Sequence, residues 1–402
     1  MPIFKYKVMN HQGQKIEGAF KANSKNEVLA MIEDNNYYPI EIKETLEREH
    51  QDLFESFAKV KTKDLYIFCR QFHTMINAGA NISNALNVLK KETENKKLKK
   101  SLNEIYDDVQ KGISLSEALG KHKDVFPELL INMINTGEVS GNLDIIMSRM
   151  ASHFEKENKI NNQLKSAMVY PTVLAGLSVV VVIFLLTFIM PTFAGMFEGS
   201  GVPLPGPTKV VMGLSKFIQT KWYILIAVIG GAIYGMKYYA KTPVGRLSLD
   251  RLKLKLPIIK DTIEKVIVSR FTRTLSTVLA SGVSLVQSLE VVQKVVGNKV
   301  AEKSLEVIKE KVLKGVSLAE ALGQESIFPA MLHSMIKIGE ESGSLDDILD
   351  KTANFYDEEL EASLKRMTTM IEPLMIIVMG VVIGFIVIAM MLPIFDMSKT
   401  VQ

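Results

Sequence analysis

The sequence predicts a mainly α, polytopic membrane protein: two repeated cytoplasmic antiparallel helical bundles of about six helices each, three transmembrane helices and a small N-terminal ββαβ module. Three observations carry this. Long stretches lack charge altogether. Elsewhere apolar residues recur at spacings of three and four, the helical period. The second half of the chain repeats the first at a register of about 202 to 203 residues. Composition alone is ordinary, with 47% hydrophobic and 23% charged residues among 402. The mean hydropathy of +0.15 stands out and points to two unlike materials in one chain. A net charge of +4 gives no argument for a nucleic-acid partner. One cysteine, Cys69, excludes an intrachain disulfide, a CxxC pair and a thiolate zinc cluster.

Residues 1–45 read as the ββαβ module. FKYKV, a turn at Asn10–Gly13 and KIEGAFKA form a hairpin, Ser24 with Glu27 caps a short helix, and YYPIEIK is a strand. A charged linker, 46–63, leads to the first bundle, 64–169. There Gly79 ends a helix, Ser83 caps the next, Ser114 and Glu117 form a capping box, and Phe126-Pro127 opens another helix. The second bundle, 241–371, carries the same signals at Gly282, Ser284, Ser317/Glu320 and Phe328-Pro329. KGISLSEAL at 111–119 returns as KGVSLAEAL at 314–322, and NTGEVSGNLDII at 135–146 as KIGEESGSLDDI at 337–348.

The spans are 171–191, 222–240 and 373–393. The first and third each run about 20 residues without a charge, enough to cross roughly 30 Å of hydrocarbon. Each lies between prolines, Pro171 and Pro191 in one and Pro373 and Pro393 in the other, and Tyr170 corresponds to Glu372. The middle span has no counterpart and serves as the return crossing. Lysine and arginine concentrate before the first and third spans, so the N-terminus and 241–371 are expected in the cytoplasm. The loop 192–221, with an amphipathic KVVMGLSKFI, and the tail 394–402 are expected outside.

No catalytic, cofactor or metal site is expected. The six histidines are scattered, and GVPLPGPT at 201–208 lacks the lysine of a phosphate-binding loop. Two kinds of residue remain as candidates. The Gly-Glu turns hold Gly137, Glu138, Gly141 and Leu143, then Gly339, Glu340, Gly343 and Leu345. Their carboxylates are read either as contacts to a partner or between bundles, or as local caps of a tight turn. The GxxxG pairs Gly231/Gly235 and Gly380/Gly384 are read as helix-packing sites, within the chain or between copies. A small-molecule transporter and a membrane-tethered signalling scaffold stand as alternatives. The transporter would need polar residues along a path through the spans.

The repeated (T/I)GE-x-SG-x-LD turn, the YP and EP dipeptides that open the spans and the closing LPIF resemble the inner-membrane platform family. That family comprises type IV pilus platform proteins and the F component of type II secretion. The resemblance covers nearly the whole chain. Lys260 in LPIIK and Asn81 in AGANIS depart from the family pattern. The resemblance implies a platform in the cytoplasmic (inner) membrane without enzymatic activity of its own. It implies docking of a cytoplasmic hexameric assembly ATPase, transmission of its motion to pilin or pseudopilin subunits, inner-membrane alignment partners, and a homo-oligomer.

Overall fold

The computed structural model describes residues 3–9, 15–22, 24–34, 37–45, 59–198 and 205–400. The turn expected at Asn10–Gly13, most of the linker 46–63 and Gly201–Leu204 lie outside the described residues. The chain divides into two compact units, residues 1–60 with 90–103, and residues 61–89 with 104–402.

In the first unit, β1 (Ile3–Met9), β2 (Lys15–Lys21) and β3 (Tyr38–Thr45) form an antiparallel sheet in the order β2-β1-β3. Alternation along β1 turns Phe4 and Val8 to one face, where they pack with Ala22 and with Val28 and Ile32 of α1 (Lys25–Asp34). Ser24 caps α1, its Oγ accepting from Glu27 N at 3.4 Å. Gly18 faces Tyr6 across the strands, and a Cβ there would sit 2.5 Å from the tyrosine oxygen.

From residue 59 the described chain is helical. The first block holds α2 (Thr62–Asn77), α3 (Ile82–Glu92), α4 (Lys96–Gln110), α5 (Leu115–Gly120), α6 (Glu128–Ser140) and α7 (Leu143–Phe184). After α8 (Met190–Glu198), α9 (Gly206–Lys241) and α10 (Pro243–Lys255) comes a block of the same order. It holds α11 (Pro257–Leu279), α12 (Leu285–Val295), α13 (Lys299–Leu313), α14 (Leu318–Gly323), α15 (Ala330–Ser342) and α16 (Leu345–Thr400). Equivalent contacts recur between the blocks. Phe68 packs on Phe126 at 5.6 Å between ring centroids, and Phe271 on Phe328 at 5.3 Å. His73 Nδ1 lies 2.9 Å from the Asp144 carbonyl, and Ser276 Oγ donates to the Asp346 carbonyl at the same distance. Arg70 pairs with Glu155, and Arg273 with Asp357. Cys69 and its counterpart Thr272 are both fully buried, which makes Cys69 a packing residue. Burial pushes its thiol pKa well above the ordinary range.

Two expectations change. Ser83 does not cap α3. Asn81 does, its Oδ1 accepting from Asn84 N at 2.7 Å, because the helix begins two residues earlier and leaves Ser83 inside it. The prolines that bound the apolar runs do not end the helices either. Pro171 lies inside α7, and Pro373 and Pro393 lie inside α16. Both runs of 51 residues therefore go straight from their block into the apolar stretch, Leu345–Phe395 within α16, and Leu143–Phe193 from α7 through a π turn at 185–189 into α8. α9 is the third helix long and apolar enough to cross a membrane. A kink at Lys221 (φ −128°, ψ 26°) divides it into the amphipathic segment and the middle span.

Candidate functional site

The Gly-Glu turns are built alike. Each α6-type helix ends at a left-handed glycine, Gly141 at φ 72° and Gly343 at φ 68°, conformations that residues with a Cβ rarely adopt. Each then turns at once into a long helix. The turn is tight enough that a Cβ on Gly137 would lie 3.1 Å from Leu143 Cα, and one on Gly339 3.0 Å from Leu345 Cα. The glycines and leucines of the motif are thus one steric unit. The carboxylates point back into their own block. Glu138 accepts from Leu115 N at 2.6 Å, Ser116 N at 3.0 Å and Ser116 Oγ at 2.5 Å. Glu340 accepts from Leu318 N at 2.7 Å and Ala319 N at 3.0 Å. A helix N-terminus presents unpaired amides and partial positive charge, and each carboxylate supplies the missing acceptors to the short helix beside it. These bonds of both carboxylates stay within their own block.

The blocks meet along α7 and α16. Ile160 and Leu164 of α7 pack with Leu360, Leu364 and Met367 of α16 and with Val266 of α11. Arg270 reaches Glu157 at 3.2 Å and Asn161 at 3.3 Å, and Lys294 reaches Glu128 at 2.6 Å. The Lys294 ammonium, hydrogen-bonded to Glu128, holds that carboxyl below the usual range. Where the apolar stretches begin, the Tyr170 hydroxyl donates to Glu372 at 3.3 Å. These two residues occupy the same place in the repeat, so equivalent positions touch, as across a two-fold axis.

His153 lies in this inter-block contact, 3% exposed and edge-on to Phe154. Burial pushes its pKa below the ordinary 6.5, Glu157 opposes the shift, and the charges of Arg273 and Arg270 add to it. Below about pH 6.5 an unfolded chain binds a proton that the folded chain refuses, so stability falls as pH drops. Thermal melting in detergent is expected to weaken between about pH 7.5 and 5.5, and His153→Gln is expected to flatten that slope.

The prolines at the far ends of the spans explain the amphipathic segment. Residues 185–189 form a π turn in which Met190 N donates to Leu185 O. The Leu186 carbonyl then has no helical donor, because the next candidate is Pro191, which lacks an N–H. Thr187 loses its donor to the same proline, and Ala389 loses its donor to Pro393. In hydrocarbon such groups must find partners within the protein. α9 supplies all three: Ser215 Oγ donates to Leu186 O at 2.5 Å, Gln219 Nε2 to Thr187 O at 3.2 Å, and Thr208 Oγ1 to Ala389 O at 2.5 Å. Val211 of the same segment is buried against Leu186, Met190, Ile386 and Met390. Thr187 and Ala389 are equivalent in the repeat, so residues 208 to 219 cross both helices at one level. The segment ties the two proline breaks together. Sequence reasoning missed Thr208, Ser215 and Gln219. The signal was present in polar side chains on the apolar face of a helix, with prolines four or five residues past the carbonyls they serve. Thr208→Val keeps shape and removes the donor, with an expected cost of about 1–2 kcal/mol in thermal melting. Thr172→Val is the control, since that hydroxyl only turns back to Met168 O on its own helix.

The GxxxG glycines make no such contact. A Cβ on Gly231, Gly235, Gly380 or Gly384 would meet nothing within 4 Å among the described residues. Among the described residues, no group of three or more His, Cys, Asp and Glu could hold a metal ion.

Comparison with known proteins places these features in context. The family profile described as type II secretion system (T2SS), protein F, matches twice, over residues 68–191 and 271–393, and the profile of its N-terminal domain matches 1–43. The chain is 37% identical to a type IV pilus assembly protein PilC of Thermus thermophilus, with all of both chains covered. It is 33% identical to the PilC of Myxococcus xanthus, over 99% of this chain and 96% of the other. It is 30% identical to a type II secretion system protein F of Vibrio cholerae, over 99% of each.

Proposed function

Because this chain belongs to the type II secretion system protein F family, we propose that it couples a cytoplasmic assembly ATPase to the extraction and polymerisation of pilin or pseudopilin subunits. It is a platform protein of pilus or secretion machinery, in a family of structural rather than known enzymatic components. The coupling is the step beyond that. The observation that carries it is that α7 and α16 each run from a block into its apolar span, within helical runs of 51 residues. A helix that continues from the block into the span transmits displacement of the block to the membrane segment. The alignment of charges with the spans supports cytoplasmic blocks and an external C-terminal tail in the cytoplasmic membrane. With both turn carboxylates occupied inside their own blocks, an ATPase would dock on other surfaces, through the outer faces of the helices. The exposed middle span and the unpacked GxxxG pairs support assembly of several copies.

The test is ATP hydrolysis by the ATPase of the same machine, measured with the full-length chain in lipid vesicles. Stimulation by the wild type is the expected result. A variant with glycines inserted after Thr369 is expected to bind the ATPase yet fail to support subunit assembly. A wild-type chain that neither binds nor stimulates the ATPase overturns the reading.

A further inference from the structure

We propose that α10 is an interfacial helix that binds the headgroups of anionic phospholipids in the leaflet where the middle span ends. The inference rests on the reading that α9 crosses the membrane. α10 starts two residues after α9 ends, joined by Thr242, whose Oγ1 accepts from Gly245 N at 3.1 Å as an N-cap. The helix is thus held at the span boundary by a short, capped joint.

Its two faces differ. Asp250 is buried and accepts from Lys299 N at 2.9 Å, which fastens the inner face to the start of α13. Leu254 packs on the core of the second block from the same side. The opposite face has no partner among the described residues. Val244, Ser248, Arg251, Leu252 and Lys255 follow at i, i+4, i+7, i+8 and i+11, one stripe of a helix. All five are exposed, Val244 at 70% and Leu252 at 53%. Leu256 and Ile259 extend the exposed apolar surface past the end of α10.

Charge selects the occupant. Residues 237–260 hold seven lysines and arginines and one carboxylate, the buried Asp250. This stretch carries an excess of six positive charges in a chain whose net charge is +4. A cleft of about 460 Å³ at the α9–α10 joint is lined by Lys241, Arg246 and Lys253. Apolar side chains interleaved with basic ones fit a helix lying in an acyl–headgroup boundary, where the apolar groups enter and the cations meet phosphate. A soluble acidic protein would satisfy the cations but leave Val244 and Leu252 in water. A zwitterionic surface would accept the apolar groups but not the excess charge.

The single cysteine makes the test clean, since Cys69 is fully buried. Full-length Ser248→Cys carries an environment-sensitive dye on the proposed face. It is reconstituted in vesicles of phosphatidylcholine alone and of phosphatidylcholine with phosphatidylglycerol. The expected result is a blue-shifted emission and iodide quenching lowered about twofold only with the anionic lipid, reversed by high salt. Adding Arg251→Gln and Lys255→Gln should abolish the lipid dependence. Equal quenching in both vesicle types, or an anionic-lipid effect untouched by those substitutions, overturns the proposal. Flotation with the vesicles reads membrane insertion separately, so a chain that does not span fails there and not in the quenching.

Discussion

Methionine in place of Arg273 is expected to cost about 3 kcal/mol of stability, while the same change at Arg70 costs less than about 1 kcal/mol. The two arginines hold equivalent places in the repeat and make equivalent bonds, Arg70 to Glu155 at 2.7 Å and Arg273 to Asp357 at 2.6 Å. Their surroundings decide the outcome. Arg70 and Glu155 are 44% and 50% exposed, and water screens and replaces such a pair. Arg273 and Asp357 are 11% and 17% exposed. The second site is also larger, since Arg273 bonds Asp350 at 2.9 Å and Asn354 at 2.9 Å, and Ser269 donates to Asp357 at 2.5 Å. Removing Arg273 leaves Asp357 with its hydroxyl partner alone in a half-dry place, the situation that makes broken buried pairs expensive. Thermal melting of both variants in detergent checks the ratio. Equal losses at the two sites would sink the argument from burial. A companion variant, Arg273→Met with Asp357→Leu, should recover much of the loss, because no uncompensated charge remains.

The burial difference was not legible in the sequence, and the reason is concrete. Both arginines sit in matching strings, RQFHTM and RTLSTV. What differs is that α7 of the first block passes beside Arg273, bringing Arg149 and His153 into the same cleft. That contact is made by helices more than 100 residues apart, and no local pattern encodes it. The features that were legible are local ones. A charge-free run announces a span by its own length, and apolar spacing announces a helix from one window. The repeat needed only comparison of the chain with itself. Proline was read by its usual helix-ending habit, and at Pro191 and Pro393 that habit was overridden. The override comes from α9, whose side chains reach carbonyls that would otherwise lie bare in an apolar setting. The cap at Asn81 was missed for a smaller reason: asparagine and serine both cap well, and only the observed helix start chooses between them.

The Gly-Glu turns carry the other large effect. Glu138→Ala is expected to cost about 3 kcal/mol and Glu340→Ala about 2 kcal/mol. Each substitution strips two amides at a helix start of a charged acceptor placed 2.6 to 3.0 Å away. The short helices they serve, six residues each, have little intrinsic stability to hold themselves once those amides are bare. The first site has one bond more, because Ser116 donates its hydroxyl to Glu138 where the second block has Ala319. That difference can be isolated. Ser116→Ala alone should cost about 1 kcal/mol, and in the Glu138→Ala background it should cost almost nothing, since the acceptor is gone. If the carboxylates instead served a partner protein, both alanine variants would melt like the wild type and lose only assembly. If they serve α5 and α14, melting falls first. Suppressors would then be expected in the caps of those helices, at Ser114 and Ser317, whose Oγ atoms already accept from Glu117 N and Glu320 N at 3.2 Å.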